Sequence, residues 1–169
     1  AIVEKSYELI TSMERLEEWL DRLSNVSFFA IDTETTSIDY MSAQLVGVSF
    51  AVDVGEAAYL PLAHDYVGVP EQIDFDKAIN ALRPVLENES IAKVGQNLKY
   101  DLSILASHGL TLKGELYDTM MESYVLNSVA TRHNMDALAR YYLDISTTSF
   151  EDVAGKGVSQ LTFNQVPLD

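Results

Sequence analysis

The feature of this 169-residue sequence that most constrains its fold is a short apolar run, Phe28-Phe29-Ala30-Ile31, that stops abruptly at Asp32-Thr33-Glu34. A continuous apolar run of strand length fits a central strand buried on both faces. Residues i and i+2 of a strand point the same way, so Asp32 and Glu34 leave one face together. Two anions side by side repel, and each raises the pKa of the other. A hard divalent cation, magnesium or manganese, removes that penalty. On its own, Asp-x-Glu is better read as a turn-capping Asp beside a solvated Glu.

Around this run the periodicity alternates between strand and helix. Glu4 to Ile10 reads as an extended entry, followed by a helix with Thr11 as N-cap, Glu14 closing a capping box, and Met13, Leu16, Leu20 and Leu23 on one face. Leu45 to Val52 alternates, with Val46, Val48, Phe50 and Val52 on one side, and turns at Asp53 to Glu56 into a second strand, Ala57 to Leu62. Helix is predicted over Phe75–Leu86, strand over Ala92–Gly95, and helix from near Gln96-Asn97 to His108 with Gly109 as its stop. Leu112 to Tyr117 reads as strand, Asp118 and Asn134 as caps of helices ending at Leu126 and Leu143, and 147–161 as irregular. The leading hairpin makes an all-parallel sheet a poor fit. The expected class is α/β: three layers, with a mixed sheet flanked by helices. No Gly-rich phosphate loop follows any strand, which removes the main support for a nucleotide-cofactor or P-loop protein.

The size fits a single domain over 1–169 with its own core. There is no cysteine, which excludes disulfides, thiolate metal sites and cysteine nucleophiles. No secretory leader, membrane-spanning run or lipidation motif is visible, so a cytoplasmic, membrane-free monomer is expected. The net charge of −15 argues against a free-standing nucleic-acid binder. It is uneven, however: residues 1–89 carry 17 acids and 5 bases, residues 90–169 carry 9 and 6. The second half can face a phosphate backbone at lower cost.

A third carboxylate stands in Gln96-Asn97-Leu98-Lys99-Tyr100-Asp101. On a helix Asn97 and Asp101 share one face, beside a core face of Leu98, Leu102 and Leu105. An Asp inside a helix has poor propensity, yet a partly exposed Asp paired with Lys99 or solvent fits as well.

The two segments together are more specific than either alone. Phe-Ala-Ile-Asp-Thr-Glu-Thr-Thr-Ser-Ile-Asp (29–39) resembles the first exonuclease motif of the family A DNA polymerases, and Val-Gly-Gln-Asn-Leu-Lys-Tyr-Asp (94–101) resembles their second. The stretches 59–66, 118–124, 154–157 and 163–165 resemble the same family, so the likeness covers nearly the whole chain.

The resemblance implies a ribonuclease H-like fold and a 3′→5′ proofreading exonuclease that uses two divalent metal ions, Mg2+ or Mn2+. By it, Asp32 would bridge both metals, Glu34 would hold the metal carrying the attacking water, and Asp101 would hold the second, partly through water. It also implies a grip on the 3′ end of single-stranded DNA. Ile38 would wedge beside the terminal bases and Phe150 would stack on one. Thr35, Gln96, Asn97, Tyr100 and Arg132 would contact terminal nucleotides and phosphates. From the residues alone, Ile38 and Phe150 fit core positions and Arg132 fits a surface ion pair. The implied partner is the polymerase domain of the same parent chain.

One part of the family pattern is missing. Its third motif, Tyr-x-x-x-Asp on a helix, occurs nowhere in the sequence: Tyr141 and Tyr142 are followed at the fourth position by Ile145 and Ser146. His133 is not followed at the fifth position by an acid, so the histidine variant is absent too. The expectation is therefore a domain truncated before its third motif and impaired in hydrolysis. The alternatives are a catalytically inactive module supporting a polymerase domain, and an RNA-processing exonuclease of the same fold.

Overall fold

The structure is a computed structural model and describes residues 5–168; the expected start of the first strand at Glu4 lies outside the described residues. Elements follow in the order β1 (Ser6–Leu9), α1 (Met13–Ser24), β2 (Phe28–Thr35), β3 (Leu45–Asp53), β4 (Glu56–Pro61), α2 (Phe75–Leu86), β5 (Ala92–Gly95), α3 (Leu98–Ser107), β6 (Leu116–Asp118), α4 (Thr119–Leu126), α5 (Met135–Leu143) and α6 (Phe150–Ala154). The six strands form one mixed sheet in the order β1-β4-β3-β2-β5-β6. β2, β3 and β4 are antiparallel, and the pairs β1–β4, β2–β5 and β5–β6 are parallel. The α/β class with a mixed sheet between helices is borne out.

One face of the sheet carries the core. Phe29 and Ile31 of β2, Val48 and Phe50 of β3, and Ala58 and Leu60 of β4 meet Leu16, Trp19 and Leu23 of α1, Ile79, Leu82 and Leu86 of α2, and Ile104 and Leu105 of α3. Each fully buried Leu, Ile or Phe contributes roughly 1.5–3 kcal/mol. The expectation that β2 is buried on both faces is corrected. Its burial alternates, and Phe28 is 55% exposed. Nor does the strand stop at Ile31: it runs through both acids to Thr35, paired with β3 from Ala30 onward. The face opposite the core is built from the small and polar residues Ala30, Asp32, Ser49, Ala51 and Ala57, which together with Met135 line a cavity of about 290 Å³.

Smaller corrections have local causes. The α1 cap is Ser12, not Thr11, with its side chain accepting from Arg15 N at 3.3 Å. Trp19 rather than Leu20 is buried on the helix's inner face, and its indole N–H is satisfied by the Glu8 carboxylate at 3.0 Å. In α3, Ile104 rather than Leu102 joins Leu98 and Leu105 in the core. β6 has three residues, not the expected six, since the four-residue β5 offers it only Lys93, Val94 and Gly95 as partners. Upstream of β6, the Lys93 ammonium is fully buried and donates to the carbonyls of Asn88, Ile91 and Lys113, which pins that segment as a loop. The stretch 147–161 is less irregular than expected: it contains α6, capped by Ser149 and Asp152, and a 3-10 turn over Gly157–Ser159. The Phe75–Leu86 helix and Ala92–Gly95 strand match their predicted bounds.

Candidate active site

The site grows from the end of β2. Asp32, Thr33 and Glu34 alternate across the sheet, so Thr33 faces the core layer and the two acids face the other way. Asp101 comes from the first turn of α3 and is 2% exposed. Thr33 ties it down twice: its backbone N–H donates to Asp101 Oδ1 at 2.9 Å and its hydroxyl to the same oxygen at 2.6 Å. Asp101 is therefore not a partly exposed Asp paired with Lys99 or solvent.

Burial raises the Asp32 pKa to about 7, with repulsion from Asp101 adding to it. Burial raises Glu34 to about 8, with Asp32 and then Asp101 adding to it. Asp101 is pushed up by burial, against the two Thr33 hydrogen bonds that favour its ionised form. Asp101 thus raises both strand acids and Asp32 raises Glu34, while the carboxylate acting on Asp101 itself is Asp118. Among the described residues, however, no three His, Cys, Asp or Glu side chains converge into a complete ion site.

Asp118 positions α3. It accepts from the backbone N–H of Asn97 at 3.0 Å and of Leu98 at 2.9 Å, and also from Met120 N and Met121 N at the start of α4. One carboxylate thereby satisfies the orphan donors of two helix starts. This geometry corrects the expectation that Asn97 and Asp101 share a helix face. Asn97 lies before the first turn with φ +60°, a left-handed conformation that Asn tolerates.

The strand-gripping residues of the family pattern are dispersed around this cluster. Ile38 is 96% exposed on the loop after β2, and Phe150 is 44% exposed and stacked on Phe163 with ring centroids 6.1 Å apart. Neither is a core residue. The Thr35 and Tyr100 hydroxyls and the Ser37 carbonyl lie within hydrogen-bond reach of one another, so that one hydroxyl donates to the other and the second donates to the carbonyl, which shapes the loop that carries Ile38. Gln96 donates to the His133 carbonyl at 2.7 Å and accepts from the Thr119 hydroxyl. Arg132 is exposed, and among the described residues it has no carboxylate within ion-pair distance.

Sequence reading gave no role to Tyr59 and His64. Tyr59 lies two strands from Asp32 in register, through Ser49. Its hydroxyl passes over Gly47, where a Cβ would come within 2.1 Å of it. It meets His64 Nε2 at 2.8 Å, while His64 Nδ1 faces the Val166 carbonyl at 3.1 Å. A carbonyl can only accept, so the proton sits on Nδ1 and the tyrosine donates to Nε2. Burial and the nearby Glu34 charge hold the Tyr59 proton on by raising its pKa, and burial keeps His64 neutral by lowering its own. Glu34, Tyr59, His64 and Phe163 line one cavity of about 560 Å³. The only signal in the sequence was that 59–66 falls within a family-like stretch.

The fold is shared with solved structures of nucleases. Trypanosoma brucei RNase D, solved in complex with RNA U12, shares the fold with a TM-score of 0.68 over 86% of this chain and 50% of its own, at 16% identity. The chain belongs to the 3′-5′ exonuclease family, whose model matches residues 7–168. DNA polymerase I of Pseudomonas aeruginosa is 54% identical over 98% of this chain, and that of Rhizobium leguminosarum 36% over 97%. The chain spans 18% of the length of each of these relatives. The expectation of a family A polymerase exonuclease domain is borne out.

Proposed function

We propose that this domain removes the 3′-terminal nucleotide of single-stranded DNA by hydrolysis, serving as the proofreading module of a DNA polymerase I in the bacterial cytoplasm. The observation that carries this reading is the Thr33-tethered cluster: Asp32 and Glu34 two apart on β2, with Asp101 brought to them from α3. The donor set is all hard oxygen. Two partly buried carboxylates that repel each other suit magnesium or manganese, which keep several waters and take only one or two carboxylates from the protein.

When bound, the two ions would activate a water and stabilise the leaving 3′ oxygen. The chain's own residues do the rest. Asp32 and Glu34 supply the negative charge that holds the ions, and Thr33 fixes Asp101 beside them. Water adds to the terminal phosphorus, the bond to the 3′ oxygen breaks, and a nucleoside 5′-monophosphate leaves. Exposed Ile38 and Phe150 contact bases without reading their edges, which suits an enzyme that must accept any 3′ end. Thr35, Gln96, Asn97, Tyr100 and Arg132 line the approach of the last nucleotides and phosphates. DNA rather than RNA is favoured by the 54% identity to a DNA polymerase, against 16% to RNase D.

The sequence holds no Tyr-x-x-x-Asp, so one expected ligand and the water-orienting hydroxyl are missing. Positioning and electrostatics are nearly all the protein contributes to this reaction, and slow hydrolysis is expected. The test uses a 5′-labelled single strand with manganese, comparing this chain, its Asp101→Ala variant, and a form extended by a relative's Tyr-x-x-x-Asp helix. A ladder shortening from the 3′ end, fastest in the extended form and abolished by the substitution, is expected. Cleavage that persists in EDTA, or that begins at the 5′ end, refutes the reading. Failure to bind manganese in calorimetry would favour an inert supporting module.

A further inference from the structure

Beyond the acid cluster, the start of α5 carries a further cavity, of about 320 Å³, with two arginines among its lining residues: Arg132 and Arg140. That pairing stands out against the net charge of −15 and a total of 11 Lys and Arg. Arg15, Arg22, Arg83, Lys113 and Lys156 are each paired with a carboxylate, and Lys93 is spent on carbonyls. Neither Arg132 nor Arg140 has a carboxylate partner among the described residues. The one acid lining the cavity, Asp136, already accepts a hydrogen bond from the Thr147 hydroxyl. Arg140 makes one long contact, Nη2 to Ser146 Oγ at 3.3 Å, so most of its fork of donors is free.

The cavity also adjoins the active site. Met135 lines the cavity that holds Asp32 and Gln96, while Asn134 and Asp136, its neighbours on either side, line the basic one. Gln96 bonds the His133 carbonyl, locking the end of β5 to this loop. The two cavities thus lie on adjacent flanks of one helix start.

We propose that Arg140, beside the Arg132 already placed at the last phosphates, holds the next backbone phosphate upstream on the strand whose 3′ end lies at the acid cluster. The inference rests on the function proposed above. A guanidinium fork matches a phosphate bidentately, and two of them around one cavity give local positive charge where the rest of the surface repels DNA. The positive end of α5 opens into the same cavity. Arg140 contributes affinity for longer strands and no chemistry.

The test is fluorescence anisotropy with labelled dT8 and dT2 in calcium over a range of salt, using this chain and its Arg140→Gln and Arg140→Lys variants. Arg140 is exposed, so neither substitution disturbs the core. Arg140→Gln is expected to weaken dT8 binding about fivefold and to flatten the salt dependence by about 0.7 in slope, the loss of one single-strand phosphate contact. Binding of dT2 should not change, and Arg140→Lys should restore the slope but only part of the affinity. Equal dT8 affinity and slope in wild type and Arg140→Gln overturns the pocket while leaving the exonuclease reading intact. If the wild-type chain binds neither strand, that reading falls with it. If millimolar inorganic phosphate displaces dT8 from wild type no better than matched chloride, the strand is the ligand; preferential displacement, lost in Arg140→Gln, with unchanged dT8 slopes means a free-phosphate site and overturns the proposal.

Discussion

Thr33 and Asp101, 68 residues apart in the chain, meet through two hydrogen bonds onto one carboxylate oxygen, at 2.9 Å from the Thr33 amide and 2.6 Å from its hydroxyl. Thr33 is the residue between the two strand acids, so this contact sets where Asp101 stands relative to both. It also leaves the second Asp101 oxygen uncommitted to Thr33. Replacing Thr33 by Val keeps the shape and deletes the hydroxyl donor. A hydrogen bond to a charged group contributes about 1.5–3 kcal/mol, and a loss in that range is expected in urea unfolding, with weaker manganese binding alongside. An unchanged unfolding midpoint would show that the amide bond alone fixes Asp101.

The pH dependence of the metal-free fold follows from the raised carboxylates. Asp32 and Glu34 keep their protons to about pH 7 and 8 in the fold, whereas the unfolded chain releases them near pH 4. Across that interval the folded state binds more protons, so stability falls as pH rises and levels off above about pH 8. His64, with its pKa lowered, acts in the opposite sense below its usual value near 6.5, so the carboxylate effect is cleanest above that pH. Thermal melts in EDTA should therefore drop between pH 6.5 and 8.5. Asp32→Asn should reduce the drop and melt higher than wild type at pH 8, by on the order of 5 °C. Identical melting curves for the two proteins at pH 8 would contradict the repulsion.

Divalent metal should reverse this loss. An ion that binds only the folded chain stabilises it by RT ln(1 + [L]/Kd), about 2.7 kcal/mol at a hundredfold excess over Kd. Manganese is expected to raise the melting temperature at pH 8 and to do so less at pH 5.5, where protons occupy Asp32 and Glu34. The same increment at both pH values would place the ion elsewhere.

Lys93 is a buried cation whose three donors are all used, on the carbonyls of Asn88, Ile91 and Lys113 at 2.7, 2.9 and 2.6 Å. Met fills similar space without donors, leaving those carbonyls unpaired at about 1–3 kcal/mol each where no water reaches them. That loss exceeds the relief of no longer burying a charge. Lys93→Met should therefore be several kcal/mol less stable, as read from denaturant midpoints. Equal or greater stability would mean that desolvation of the ammonium dominates.

The sequence by itself determined the elements whose information is local. The Phe75–Leu86 helix and the Ala92–Gly95 strand carry their own periodicity and boundary residues, and Asp118 and Asn134 cap the helices they were expected to cap. It also singled out Asp32, Glu34 and Asp101 through a family resemblance, and the 3′-5′ exonuclease match over residues 7–168 bears out the family itself. Tertiary structure decided the rest. Whether β2 is buried on one face or two depends on what packs over it, which no local pattern encodes. That Asp118 serves two helix starts, that Thr33 holds Asp101, and that Tyr59 and His64 sit beside Glu34 all depend on contacts between segments distant in sequence. The pKa values of Asp32 and Glu34 have the same origin. Their burial and the repulsion from Asp101 exist only once the chain has folded α3 against β2, so the charge state of the site belongs to the fold and not to any of its residues.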